Sequence, residues 1–281
     1  MRSFTAGPDL PATADPAPLL TLNGLVKRHL DPSGGVRTVV DTFDLTVPPG
    51  QFCVLIGPSG CGKSTVLSMI CGLARASEGQ ILADGAPLKS TDPRTGFVFQ
   101  TDAVFPWKTV LNNVAAGPRF RGAGKQEAVA RARDWIRRVG LSGFEQHFPY
   151  QLSGGMRKRV ALAQTMINQP RILLLDEPFS GLDAQTRQIM ADELLSLWDT
   201  LRATVVMVTH DLEEAIALAD RVVVLTAGPA SVKKEFVIDL PRPRRMQEIR
   251  FHPRFAELHE EIWSTLSDEV QIAYARATTA G

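Results

Sequence analysis

Gly57-Pro58-Ser59-Gly60-Cys61-Gly62-Lys63-Ser64-Thr65 is the stretch that decides the fold. It lies between the apolar run 52–56 and a helical pattern over 65–74, and it meets the Gly-x-x-x-x-Gly-Lys-[Ser/Thr] template of a phosphate-binding loop at each fixed position. Glycines at 57, 60 and 62 let the backbone curl until several N–H groups face one anion. The helix that follows adds the positive end of its dipole. Lys63 is a mobile charge suited to the β and γ phosphates, and the Ser64 hydroxyl suits the Mg²⁺ that travels with a nucleotide. The expected ligand is a nucleoside triphosphate. A glycine-rich turn that binds nothing is the alternative, and the order strand, loop, Lys-Ser pair, helix argues against it.

The 281 residues are enough for one large domain or two modest ones, and 44% hydrophobic with 22% charged content is that of an ordinary globular protein. Lys and Arg number 31 against 30 Asp and Glu, so no global field draws the chain to nucleic acid or anionic lipid. Three cysteines, Cys53, Cys61 and Cys71, all in or beside the phosphate loop, make no disulfide framework and point to a reducing compartment. No apolar stretch reaches the roughly 18–20 residues that cross a bilayer. If the chain serves a membrane process, other chains do the crossing.

Residues 1–19, rich in Ala and Pro with Arg2 the one basic side chain, read as a disordered leader rather than a signal peptide. Short runs over 20–25, 37–47 and 52–56 predict a β-rich opening layer that ends in the phosphate loop, with a further hairpin edge at 81–85. After a short strand at 96–100 and a loop over 101–106, residues 110–169 read as helical. Within them Ala128, Val129, Ala132, Trp135, Ile136 and Val139 make an apolar face opposite Arg131, Arg133, Arg137 and Arg138, which read as a solvated face in preference to a nucleic-acid patch. Strand and helix then alternate: strands at 171–175, 204–209 and 221–225, helices at 184–202 and 213–219. That alternation predicts an α/β fold with a largely parallel central sheet. From Pro241 the chain is basic and proline-punctuated, with a helix expected over 255–266.

Two further stretches carry chemistry. Arg171-Ile172-Leu173-Leu174-Leu175-Asp176-Glu177 is an apolar strand ending in two acids, which places both at the carboxyl edge of the sheet beside the phosphate loop. Asp176 suits the Mg²⁺ shell, and Glu177 suits a general base for an attacking water. Leu152-Ser153-Gly154-Gly155-Met156 opens a helix with uncapped N–H groups and a hydroxyl, a second anion cradle. One nucleotide does not need two cradles from one chain, whereas a site shared across a dimer does.

In combination these stretches resemble the ATP-binding subunit of ABC transporters over roughly 20–225. Residues 57–65 resemble that family's Walker A, Gln100 its Q-loop, 152–156 its signature, 172–177 its Walker B, Ser180-Gly181-Leu182-Asp183 its D-loop and His210 its switch histidine. The resemblance implies a P-loop NTPase with a β-rich N-terminal layer and a helical subdomain at about 102–169, within an ATP-binding domain at 20–240 and before a basic extension at 241–281. It implies a head-to-tail dimer holding two ATP molecules, each between residues 57–65 of one subunit and Ser153, Gly154 and Gly155 of the other. His210 is expected at the γ-phosphate, Gln100 at Mg²⁺ and the attacking water, and Asp183 across the interface. Two departures stand out. Met156 replaces the family's usual Gln, and His29 falls where an aromatic residue ordinarily stacks on adenine, a contact worth about 1–3 kcal/mol.

Within the family, Phe99-Gln100-Thr101-Asp102-Ala103-Val104-Phe105-Pro106-Trp107 and the stretches 220–229 and 238–244 are similar to importer subunits for nitrate, taurine and alkanesulfonates. Pro106 and Trp107 are then expected where a membrane subunit's coupling helix docks, against the plainer reading of Trp107 as core. The implied function is an Mg²⁺-dependent ATPase on the cytoplasmic face of the membrane, working with permease subunits and, indirectly, an extracytoplasmic solute-binding protein, and with no nucleic acid. An efflux or lipid-transport subunit, a ribosome- or DNA-directed ATPase and a non-catalytic nucleotide-binding module are the alternatives. The single set of motifs without sustained heptads speaks against the second, and Lys63, Glu177 and His210 together speak against the third.

Overall fold

A computed structural model describes residues 19–30, 34–88 and 90–279; the leader expected over 1–19 lies, apart from Leu19, outside the described residues. Apolar and polar residues alternate in β1 (Leu20–Leu30) and β2 (Val36–Val47), which pair antiparallel with one side against the core. β3 (Phe52–Ile56) is not part of that layer, although its place in the sequence suggests it. All five of its residues are buried, and a strand apolar on both sides is stable only between two covered faces, so β3 lies inside a second sheet. The phosphate loop and α1 (Lys63–Ile70) follow directly. β4 (Glu78–Ala83) and β5 (Ala86–Pro87) complete the first sheet in the order β2-β1-β4-β5.

The second sheet uses β3, β6 (Thr95–Val98), β7 (Ile172–Asp176), β8 (Thr204–Thr209), β9 (Arg221–Leu225) and β10 (Val232–Val237), in the order β10-β9-β3-β8-β7-β6. Every pair is parallel except β9 with the edge strand β10. Ile56 pairs with Thr209, Asp176 with Val208 and Val98 with Leu175. This register brings the chain that follows each of β3, β6, β7 and β8 to one edge, where open parallel sheets bind ligands.

The stretch expected to be helical over 110–169 holds four α-helices, α2 (Val110–Val114), α3 (Ala116–Phe120), α4 (Lys125–Arg138) and α5 (Gly154–Met166), with turns and one 3-10 turn at Pro149–Gln151 between the last two. The turn at 121–124, with Gly122 at φ 89°, separates α3 from α4. On α4, Ala128, Ala132, Trp135 and Ile136 are buried while Arg131 pairs with Glu127 and Arg137 and Arg138 share Asp134, so the arginine face lies away from the core and is partly paired along the helix. α6 (Ala184–Leu201) and α7 (Leu212–Leu218) cover the sheet, and Trp198 of α6 meets Phe52 of β3 edge-on at 5.5 Å. After α8 (Met246–Ile249), α9 (Pro253–Thr279) runs well past the helix expected at 255–266. Its Phe255, Leu258, Ile262 and Leu266 are buried in the same core as α7. Trp107 is 72% exposed, on the surface as expected and not in the core.

Candidate nucleotide site

Lys63 is 6% exposed, and its ammonium donates to the carbonyls of Gly57 (2.7 Å) and Pro58 (2.8 Å). Two neutral carbonyls hold the charge inside the loop without cancelling it. Gly62 (φ 121°) tolerates no side chain, since a Cβ there would lie 2.8 Å from the Val39 carbonyl oxygen and 2.9 Å from the Ala230 Cβ. Cys61 turns inward and is buried, which pushes its thiol above the usual range.

Ser64 Oγ donates to Asp176 Oδ1 at 2.8 Å, tying the first turn of α1 to the end of β7. Burial raises the Asp176 carboxyl, against the Ser64 hydrogen bond. At the next residue the backbone turns sharply: Glu177 has φ 42°, held by its N–H donating to the Val208 carbonyl at 3.0 Å. Gln100 Nε2 donates to Glu177 Oε2 at 3.1 Å, and His210 Nδ1 lies 3.2 Å from the same oxygen. Residues from β3's loop, β6's end, β7's end and β8's end thus meet in a cleft of about 390 Å³ lined by Ser59, Gly60, Gly62, Lys63, Ser64 and Thr65 with Val39, Gln100, Glu177 and His210. Gly57, Pro58 and Cys61 lie in the loop but do not line the cleft, and Asp176 reaches it through Ser64.

The other expected site residues lie apart from this cleft. Ser153 is exposed at the N-terminus of α5, its Oγ accepting from the Met156 N–H at 3.3 Å, so Met156 leaves that cap intact. Gly154 and Gly155 are half-buried. Asp183 is exposed and caps α6 through the N–H groups of Gln185 (3.1 Å) and Thr186 (2.9 Å) and the Thr186 hydroxyl (2.7 Å); these bonds hold its carboxyl below the usual range. His29 is exposed on β1 opposite Arg37 and does not line the cleft.

Several residues that the motifs did not single out hold these groups in place. Lys158 of α5 donates to the Gln100 carbonyl, and Arg157 pairs with Asp102 at 2.9 Å, so the segment after β6 is fastened to the helix that Ser153 opens. Thr209 donates to Glu214 Oε2 at 2.7 Å and accepts from the Asp211 N–H at 3.1 Å, while Arg187 of α6 pairs with Asp211 at 3.0 Å. His210 is therefore held between two pinned neighbours. Glu214 is 4% exposed, and burial pushes its carboxyl up to about 7. In sequence, Glu213 and Glu214 are both plain helix-opening acids next to a dipole; only packing tells the buried one from the exposed one.

A strand, phosphate loop and helix beside an acid-tipped parallel strand define a P-loop nucleotide-binding protein. Residues 40–180 match the family model described as ABC transporter. An uncharacterized ABC transporter ATP-binding protein of Methanocaldococcus jannaschii is 47% identical over 238 residues, covering 85% of this chain and 88% of that one. The taurine import ATP-binding protein TauB of Rhizobium johnstonii is 43% identical over 238 residues (82% and 90%), and the aliphatic sulfonates import ATP-binding protein SsuB of Bacillus cereus 39% over 230 (80% and 90%). Among solved structures, a post-hydrolysis state of a dimeric ATP-binding cassette bound to ADP and Pi superposes with a TM-score of 0.71 at 31% identity, covering 79% of this chain and all of that one. The chain belongs to the ABC transporter family.

Proposed function

We propose that this chain is the ATP-hydrolysing subunit of an import system for small anions of the sulfonate, taurine or nitrate kind. The observation that carries the proposal is the convergence of Lys63, Ser64, Gln100, Glu177 and His210 on one cleft at the carboxyl edge of the sheet. Relatives named for taurine and aliphatic sulfonate import support the solute class, and give no support to efflux or to work on ribosomes and DNA. Residues 20–240 form the ATP-binding domain in this reading, with a helical subdomain at about 102–169 and an extension at 241–281.

The phosphate loop binds the β and γ phosphates through its N–H groups and Lys63. Glu177 takes a proton from the attacking water, Gln100 orients that water through the hydrogen bond network it shares with Glu177, and His210 contacts the γ-phosphate. Ser64 Oγ and the Asp176 carboxylate, 2.8 Å apart, with the Gln100 amide on the cleft wall, are the hard oxygen donors that Mg²⁺ takes, and the raised Asp176 carboxyl is the group a cation relieves. Bound there, Mg²⁺ supplies positive charge to the phosphates. Ser153 and Asp183, exposed, and Gly154 and Gly155, half-buried, all outside the cleft, serve the nucleotide of a second copy of this chain, and His29 stacks on the adenine from the end of β1.

No helix among the described residues is long and apolar enough to cross a membrane. In the proposed reading, supported by relatives named as import ATP-binding proteins, the subunit is peripheral, at the cytoplasmic face, and drives permease subunits fed by a solute-binding protein. The exposed Trp107 and Phe120, with Lys108, Thr109, Arg119 and Phe148, line a surface groove suited to a permease's coupling helix. The test is ATP turnover by Glu177→Gln. Removing the base is expected to slow hydrolysis about 10²–10⁴-fold with ATP binding retained; hydrolysis at the parent rate overturns the assignment.

A further inference from the structure

Helix α9 reaches the turn that backs the phosphate loop. Residues 226–231, which join β9 to β10, form a turn closed by Thr226: its N–H donates to the Ser231 carbonyl at 3.1 Å, and its hydroxyl donates to the Pro229 carbonyl at 2.7 Å and accepts from the Ser231 N–H at 3.0 Å. The turn is laced to β2 on its other side, Ala230 N donating to the Val39 carbonyl at 2.8 Å and Asp41 N to the Ala230 carbonyl at 3.0 Å. It lies against the phosphate loop at two points, closely at the first. The Ala230 methyl stands where a Cβ on Gly62 would come within 2.9 Å, and a Cβ on Gly228 would lie 3.7 Å from Cys61 Cα. Val39, laced to the same turn, lines the nucleotide cleft.

Into this turn α9 sends a carboxylate. Glu269 is 6% exposed; its Oε2 accepts from the Ala227 N–H at 2.7 Å and its Oε1 lies 2.7 Å from Lys233 Nζ on β10. A buried carboxylate is costly unless it is paired and hydrogen-bonded, and here both oxygens are used on the turn and the strand that leaves it. Arg276, one helical stretch further on, donates to the Gly228 carbonyl. The far end of the same segment is anchored too. Arg244 is 6% exposed and donates to carbonyls at the end of α7 (Ile216 and Ala217) and to that of Leu240 at 2.9 Å, and its burial among carbonyls lowers its guanidinium to about 10.

We infer that Glu269 is a positioning residue for the phosphate loop, fixing through the turn at 226–231 the backbone that curls around the nucleotide phosphates. The inference rests on the nucleotide reading of the cleft given above. It makes the C-terminal extension part of the nucleotide site without touching it. Close packing transmits the effect: between Gly62 and the Ala230 methyl there is no room for even one added carbon, so displacing Ala230 moves the N–H groups of the loop.

The experiment is the affinity of the full chain for a fluorescent ATP analogue, measured with the steady-state kinetics and thermal midpoint of each variant. Glu269→Ala is expected to weaken binding about five- to tenfold, the scale of one buried hydrogen bond, raising KM with kcat at saturating ATP nearly unchanged. Glu269→Gln, which still accepts from Ala227, is expected to restore most of the affinity. Leu258→Ala, a core truncation on the same helix remote from the turn, is expected to lower the midpoint without weakening binding. Should Glu269→Ala not fold, Glu269→Asp, which draws the oxygens back from Ala227, is read in its place with the same expectation. Parent-like affinity in Glu269→Ala overturns the inference, as does an equal loss of affinity in Leu258→Ala. A parent chain that binds no ATP analogue overturns the nucleotide reading and this inference with it, an outcome distinct from both.

Discussion

The two loops proposed as anion cradles differ in how complete they are. At the phosphate loop, Lys63 is buried against two carbonyls, Ser64 is bonded to Asp176, and Glu177 is reached by both Gln100 and His210. At the start of α5, Ser153 is exposed and its hydroxyl does no more than cap its own helix; Asp183 likewise caps α6. A buried polar group requires partners within the chain, whereas an exposed one is satisfied by water and is free to exchange water for a ligand or a second chain. The first cradle is a pocket finished by folding. The second is a surface whose role, in the proposed reading, is completed by a partner copy.

The largest effect that sharpens the contrast comes from Lys63→Ala. Losing what the proposed reading makes the charged donor to phosphate is expected to weaken ATP binding by about 100-fold or more, on the order of 3 kcal/mol, while the exposed cradle is left intact. Equilibrium binding of a labelled nucleotide checks it, and an unchanged affinity removes Lys63 from the phosphate contact.

A second measurement concerns the pinned surroundings of His210. Burial raises the Glu214 carboxyl from its ordinary 4.5 to about 7, so the folded chain takes up a proton that the unfolded chain has released. This group's contribution to stability is thus fully present below about pH 4.5 and is lost as pH rises through 7. Glu214→Gln keeps an acceptor for Thr209 and cannot titrate. Its thermal midpoint is expected to gain on the parent's as pH rises across that window, and parallel midpoint–pH curves would show that Glu214 does not carry the dependence.

These residues mark where sequence reading stops. Strands β8 and β9 were legible to the residue because a run apolar on both faces has one stable home, the middle of a parallel sheet. The same logic misplaced β3, since adjacency in sequence suggested the opening layer while its two-sided burial requires the central sheet. β10, with Lys233, Lys234 and Glu235 in the middle of six residues, carries no apolar alternation and is held by pairing with β9, by the burial of Phe236 and by Glu269 on Lys233. In the site, the template spacing exposed Lys63, Ser64, Asp176 and Glu177, whose chemistry depends on type and order. Glu269 and Arg187 were invisible, because their importance lies in which distant backbone or side chain they meet.

The smallest effect belongs to His29, exposed on β1. If it stacks on adenine, His29→Phe is expected to tighten ATP binding several-fold, about 1 kcal/mol of added stacking. Titration with ATP and with a triphosphate lacking the base separates the contributions; an equal response to both takes His29 out of the base contact.

The most direct test of the contrast is the mass of the chain in solution with and without ATP, by light scattering coupled to size exclusion. Glu177→Gln, expected to bind ATP without turning it over, is expected to double in mass when ATP and Mg²⁺ are added. Adding Ser153→Arg, which fills the exposed cradle, is expected to abolish that doubling while nucleotide binding to the single chain persists. An ATP-dependent dimer indifferent to Ser153→Arg, or full hydrolysis by a chain that stays monomeric at every concentration, would contradict the account.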